Sequence, residues 1–286
     1  MTAPAQPAIL IDAATLKSQL DSTELDSTER IVLLDVRWAL GDPEGHKHYL
    51  DGHLPDAVYV DLETELAGHG TPQDGRHPLP ALADFQAAVR SWGVREGDLV
   101  VAYDNSGNAS AARLWWLLRH AGFEAVRLLD GGLSAWREAG FELASGEVVA
   151  TPGDVTLEFG AMRVANVTEV AQWPVRGPLL DARAGERYRG EVEPIDPKAG
   201  HIPGAVSAPT MGNLAADQKF LSAEQLRKRF AALGLAPMSE VAVYCGSGVT
   251  AAHEIAALEI AGFKAALFPG SWSAWSNHPD LPVETS

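Results

Sequence analysis

Cys245 is the only cysteine in 286 residues, and it stands between two elements that suit a nucleophile. The segment VAVYCGSGVTAAHEIAAL covers residues 241–258, and its first four residues, Val241 to Tyr244, read as a short buried strand. Gly246 and Gly248 break that run, and Thr250 to Leu258 continues as an apolar-striped helix. A thiol at such a junction faces the N–H groups of a turn and the positive end of a helix dipole. Both favour thiolate over thiol, which is the nucleophilic form. Most free cysteines are small buried hydrophobes, so the residue and its neighbours alone leave filler and nucleophile evenly matched.

The chain then supplies its own control, because it is written twice. LLDVR at 33–37 answers LLDAR at 179–183, and GHLPDAV at 52–58 answers GHIPGAV at 200–206. VVAYDNSGNASAARLWWLLRHAGF at 100–123 answers VAVYCGSGVTAAHEIAALEIAGF at 241–263, and LLDGGLSAW at 128–136 answers LFPGSWSAW at 267–275. Tyr103 matches Tyr244, so Asp104 stands where Cys245 does. A cysteine that only filled core would be matched by a small apolar residue. A charge there instead marks a loop mouth and favours a functional Cys245.

Each copy reads as strands alternating with helices, which implies an α/β fold of two tandem domains. Each domain is expected to be a mainly parallel sheet with helices on both faces. The boundaries fall at 7–142 for the silent first domain and 163–286 for the catalytic second, with 143–162 as a polar Pro- and Gly-containing linker. Ligands of such sheets sit beyond the carboxyl ends of the strands, where Cys245 falls.

Composition narrows the function classes. There are 22 basic against 38 acidic residues, a formal net charge of −16, which disfavours a general binder of nucleic acid or anionic membrane. A small anionic substrate held by a few local cations remains compatible. One cysteine makes no intrachain disulfide, no apolar run approaches a membrane span, and the opening MTAPAQPAILIDAATL has no signal-peptide pattern. The expected location is therefore cytoplasmic.

The ordered blocks resemble the rhodanese superfamily, specifically its tandem-domain sulfurtransferases. The resemblance rests on the D-x-R strand ends, GHIPGAV, the loop CGSGVT after a strand, and GSWSAW, and it covers essentially the whole chain. It implies that Cys245 takes a sulfane sulfur from a small anionic donor as a persulfide. The sulfur then passes to a thiol or cyanide acceptor, a thioredoxin-like protein among the candidates, with no metal or organic cofactor. The backbone of Gly246, Ser247, Gly248, Val249 and Thr250 is suited to stabilise anionic sulfur. The loop is similar to that of 3-mercaptopyruvate sulfurtransferases, whereas thiosulfate-specific relatives carry cations after the cysteine that Gly246 and Ser247 do not supply. The family's relay of this serine with a histidine and an aspartate maps onto Ser247, His53 and Asp42. Arg187, in GERYRG, matches the arginine that holds the donor's anionic group. The second arginine expected further along this loop is replaced by Asp196, with Lys198 nearby as a point charge in its place. Trp38 matches an aromatic of the substrate site.

Rival readings fit less well. A cysteine phosphatase needs an arginine closing its loop, and position 251 is Ala. Gly246, Gly248 and Ala251 spell a dinucleotide fingerprint, but the later acidic residue is missing from AALFPG. A non-enzymatic sulfur carrier is argued against by the intact loop and Arg187. Asp35, Arg37, Asp181 and Arg183 recur in both copies and read as structural. His46 and His48 read as solvated, Trp115 and Trp116 as packing, and Trp272 and Trp275 as the floor of the site.

Overall fold

The computed structural model describes residues 8–26 and 30–286; the opening MTAPAQP, including residue 7 where the expected first domain begins, lies outside them. The described residues form two compact units, one built from 8–26, 30–65 and 82–161, the other from 66–81 together with 162–286.

The first unit holds strands β1 (Leu10–Ile11), β2 (Ile31–Asp35), β3 (Val58–Tyr59), β4 (Leu99–Tyr103) and β5 (Val126–Leu129). They pair in the order β1-β5-β4-β2-β3, and every pairing is parallel. The second unit holds β6 (Leu179–Asp181), β7 (Val206–Ser207), β8 (Val241–Tyr244) and β9 (Ala265–Leu267), ordered β7-β6-β8-β9 and again all parallel. A single parallel bridge from Val164 to Leu267 stands where β1 stands in the first unit. The central strands β4 and β8 are buried at every position, as strands covered on both faces require, so their sequences run apolar without alternation.

The repeated motifs hold the repeated fold. Arg37 pairs with Asp35 at 2.5 Å, and Arg183 with Asp181 at 2.7 Å, all four buried. Burial pushes the Asp35 carboxyl up to about 6, with the Arg37 charge opposing it. The tyrosines ending β4 and β8 also match: Tyr103 Oη accepts the Leu54 N–H and Tyr244 Oη accepts the Ile202 N–H. Each one thereby ties a GH-x-P loop to the end of its central strand.

The unit boundaries differ from the sequence expectation in two places. The expected linker is not free: Val155 and Leu157 are buried, and Arg90 Nε and Gln86 Oε1 bond the backbone of this stretch. Its Pro and Gly content marks an irregular path, while two apolar residues at alternate positions anchor it to the first unit. Residues 66–81, which the repeat alone would assign to the first copy, pack with the second unit.

Candidate active site

The strand order of the second unit reverses between β6 and β8, and open parallel sheets bind ligands at such a reversal. Cys245 follows β8 directly and is 1% exposed. Its Sγ accepts the Gly248 N–H at 3.1 Å, so the turn bends back onto the sulfur. Gly248 has φ +83°, and a Cβ there would stand 2.4 Å from the Pro269 carbonyl oxygen, so no other residue closes this turn without displacement. The loop rests on the helix Ser271–Asn277: the Trp272 and Ser273 N–H groups donate to the carbonyls of Cys245 and Gly246, each at 2.9 Å. Trp272 and Trp275 are buried and spend their indole N–H groups on the Lys198 and Pro282 carbonyls. Trp272 thus contacts the cysteine loop through its backbone N–H, on the Cys245 carbonyl.

The matched loop of the first unit shows what such a turn holds. Asp104 is fully buried, and its carboxylate accepts four backbone N–H groups, from Ser106, Asn108, Ser110 and Ala111, at 2.8 to 3.0 Å. Asp104 is therefore not at a loop mouth, contrary to what the sequence comparison suggests; its side chain fills its own loop. In the second unit the equivalent residue is a thiol. One copy is plugged by an aspartate side chain, and the other carries a thiol at the same place.

Ser247 Oγ lies 2.7 Å from His77 Nδ1, and both residues are 7% exposed. The histidine that meets Ser247 is thus His77, from the 66–81 segment, and not His53. Both ring nitrogens of His53 face backbone carbonyls, of Leu54 at 2.7 Å and Gly146 at 3.0 Å, and its ring stacks on Tyr49. His201, its counterpart in the second copy, likewise turns Nδ1 to the Tyr188 carbonyl and stacks on that tyrosine. A histidine doing the same work in both copies holds the fold. Asp42 is also placed locally, accepting the Glu44 N–H at 2.9 Å and meeting His48 Nε2 at 3.1 Å, with no bond to His53. The Glu44 N–H holds its carboxyl below the usual range. Trp38 is half-buried in the first unit and donates its indole N–H to Glu63. His46 and His48 pair with separate carboxylates, Glu147 and Asp42.

Arg187 lies at the loop. Its Nη2 bonds Glu193 at 2.6 Å and Asp196 at 3.2 Å, and its Nε reaches Glu193 at 3.3 Å. A Cβ on residue 246 would stand 3.3 Å from Arg187 Nη1 and also 3.3 Å from Arg76 Nη2, so glycine leaves room for two guanidinium groups above the loop. Arg76 is a residue that sequence reasoning missed. Lys198 does not serve as the substitute cation, because its ammonium donates to the carbonyls of His278, Pro279 and Leu281 at 2.8 to 3.3 Å. All three of its protons have backbone acceptors.

Arg76 and His77 had one visible signal. DGRHPLP, at 74–80, is a Pro- and Gly-containing block with no counterpart in the second copy, and an unrepeated loop in a duplicated chain is where function is added.

Comparison with known proteins shows the family and the fold. The family model for the rhodanese-like domain matches residues 12–139 and 166–278. SseB of Mycobacterium tuberculosis, which carries a thiosulfate sulfurtransferase name, is 46% identical over 278 residues, 96% of each chain. The 3-mercaptopyruvate sulfurtransferase of Escherichia coli is 34% identical over 284 residues, covering 96% of this chain and 97% of its own. The crystal structure of SseA from that organism, a 3-mercaptopyruvate sulfurtransferase, superimposes with a TM-score of 0.80 over 93% of this chain and 99% of its own, at 32% identity.

Proposed function

The chain belongs to the rhodanese-like family of sulfurtransferases, and we propose that it moves sulfur from 3-mercaptopyruvate through a Cys245 persulfide to a thiol or cyanide. The observation that carries the donor is the Ser247–His77 hydrogen bond, one residue from the nucleophile. The Cys245 thiolate attacks the sulfur of the donor. The S–S bond forms as the C–S bond breaks, the thiol proton stays with the transferred sulfur, and the electron pair left on carbon makes the enolate of pyruvate. That enolate needs a proton, and a hydroxyl backed by an imidazole is suited to deliver one. In the second half the acceptor attacks the outer sulfur, the S–S bond breaks and the Cys245 thiolate returns. The Gly248 N–H on Sγ favours anionic sulfur in both halves without reorganisation.

Thiosulfate is the second reading, favoured by the name of the Mycobacterium tuberculosis relative. Thiosulfate-specific relatives are expected to carry cations on the residues directly after the cysteine, and here Gly246 and Ser247 are uncharged. Steady-state rates with each donor decide between them; a large preference for thiosulfate overturns the donor assignment. The acceptor we favour is a dithiol protein of the thioredoxin type, which releases sulfur as sulfide while its own thiols close a disulfide. A lone cysteine with no disulfide suits a reducing compartment, so the cytoplasm is the proposed location. No helix among the described residues is long and apolar enough to cross a membrane.

A further inference from the structure

The first unit has a cavity at the place where a sheet of its kind holds ligands. Its strand order reverses between β2 and β4, and a cavity of about 290 Å³ lies beyond their carboxyl ends, lined by Arg37, Asn105 and part of the helix Gly132–Glu138. The second unit shows what fills the equivalent space. Trp272 and Leu133 are matched residues: the Trp272 N–H donates to the Cys245 carbonyl, and the Leu133 N–H donates to the Asp104 carbonyl. The buried Trp272 indole covers the Arg183 guanidinium, with Cζ 4.5 Å from the ring centre. Leu133 has no ring to lay over Arg37, and both of these residues line the cavity.

The two arginines are also spent differently. Arg183 uses Nε and Nη2 on Asp181 and Nη1 on Glu193. Arg37 uses Nη1 on the His48 carbonyl and Nη2 on Asp35, and its Nε is buried with no partner. A buried guanidinium N–H without an acceptor is costly unless a ligand relieves it, and a guanidinium stacks on planar rings. Two further charges line the cavity, Arg137 and Asp51, where the second copy has Ser276 and Ala199. Arg137 Nη2 lies 3.7 Å from where a Cβ of Gly52 would stand, so it reaches the residue next to Asp51. Both side chains are exposed, and neither has a hydrogen bond or ion pair among the described residues. The remaining charged pair of the lining, Asp42 and His48, is closed on itself at 3.1 Å. The cavity thus offers a cationic surface for a ring, a guanidinium for an anion and a carboxylate for a cation. A zwitterion meets all three, and the chain's net charge of −16 does not repel it as it repels a free anion.

We propose that this cavity is a second ligand site, in the catalytically silent unit, for a small zwitterion with a planar ring, of the aromatic amino acid class. The ring takes over Arg37 the place that the Trp272 indole takes over Arg183. The ligand's carboxylate lies on Arg137 and its ammonium on Asp51. The site stands apart from the sulfur-transfer reading, since every residue in it belongs to the first unit.

The test is calorimetric titration of the whole chain with L-tryptophan, with tryptamine, which lacks the carboxylate, and with indole-3-propionate, which lacks the ammonium. Saturable binding of one L-tryptophan per chain is expected. Arg137→Ala is expected to weaken it by about 10- to 100-fold and to leave tryptamine binding unchanged. Asp51→Asn is expected to weaken L-tryptophan binding and to leave indole-3-propionate binding unchanged. Leu133→Trp places an indole where the second unit has one, so it is expected to abolish binding of all three while sulfur transfer is kept. If that larger side chain prevents folding, the two charge variants decide. No saturable binding to the parent, or an L-tryptophan affinity unchanged in both Arg137→Ala and Asp51→Asn, overturns the site.

Discussion

Removing the Ser247 hydroxyl separates a working proton relay from a buried polar contact. Ser247→Ala deletes one atom that lies 2.7 Å from His77 Nδ1 in a site where both residues are 7% exposed. A neutral hydrogen bond contributes about 0.5–1.5 kcal/mol, so a purely structural pair would slow turnover by at most about tenfold. A group that delivers a proton in the transition state contributes about 100- to 10,000-fold. The expected result with 3-mercaptopyruvate is therefore a kcat loss of at least about 100-fold in Ser247→Ala or His77→Ala. The double variant should be no slower than the worse single one, because the two act as a unit. Thiosulfate is the internal control. Its leaving group is sulfite, which departs with its charge and needs no proton, so its rate should stay within about threefold of the parent under the same reasoning. The assay is steady-state kinetics with both donors and cyanide as acceptor, reading thiocyanate. Equal losses with the two donors, or single losses below tenfold that add in the double variant, would refute the relay.

Three further outcomes follow from the same geometry. Gly248→Ala forces a Cβ to 2.4 Å from the Pro269 carbonyl at a positive φ; a loss of at least about 2 kcal/mol in urea unfolding and of most sulfur transfer is expected, and parent-like values would contradict the tight turn. Asp104→Ala strands four buried N–H groups, so a loss of about 3 kcal/mol or more is expected by urea unfolding, and a change under 1 kcal/mol would show that the plug is not needed. Glu254 is fully buried, and burial pushes its carboxyl from 4.5 up to about 7 against the opposing charge of Arg229. The folded state thus binds the proton more tightly than the unfolded chain. Its contribution is full below about pH 4.5 and falls by about 3 kcal/mol as the pH rises through 7. Glu254→Gln should therefore gain stability over the parent at pH 8 and lose that advantage near pH 5; a pH-independent difference would contradict the assignment.

The duplicated chain made its fold legible, since the blocks that recur are the strands and the loops tied to them. Cys245 and its glycine turn were readable for the same reason, since they sit in a block whose counterpart differs in a telling way, whereas Arg187 was legible only through the family resemblance. His53 carries the relay's motif but not its geometry: like His201 in the second copy, it turns Nδ1 to a backbone carbonyl and stacks on a tyrosine. Lys198 failed because three backbone carbonyls, brought from residues 278–281, are invisible in a local pattern. Arg76 and His77 were hidden by topology, because a segment that follows the first copy's β3 packs instead with the second unit. Sequence periodicity reports which face of an element is buried, but not which unit a loop joins.

The most direct measurement is the intact mass of the protein after exposure to 3-mercaptopyruvate without acceptor, under non-reducing conditions. With a single cysteine in the chain, the expected gain is one sulfur atom, carried on the peptide that contains Cys245 and discharged by cyanide. Cys245→Ser should keep its parent mass and transfer no sulfur. A parent enzyme that turns over the donor without gaining sulfur, or a Cys245→Ser protein that still transfers it, would contradict the persulfide account.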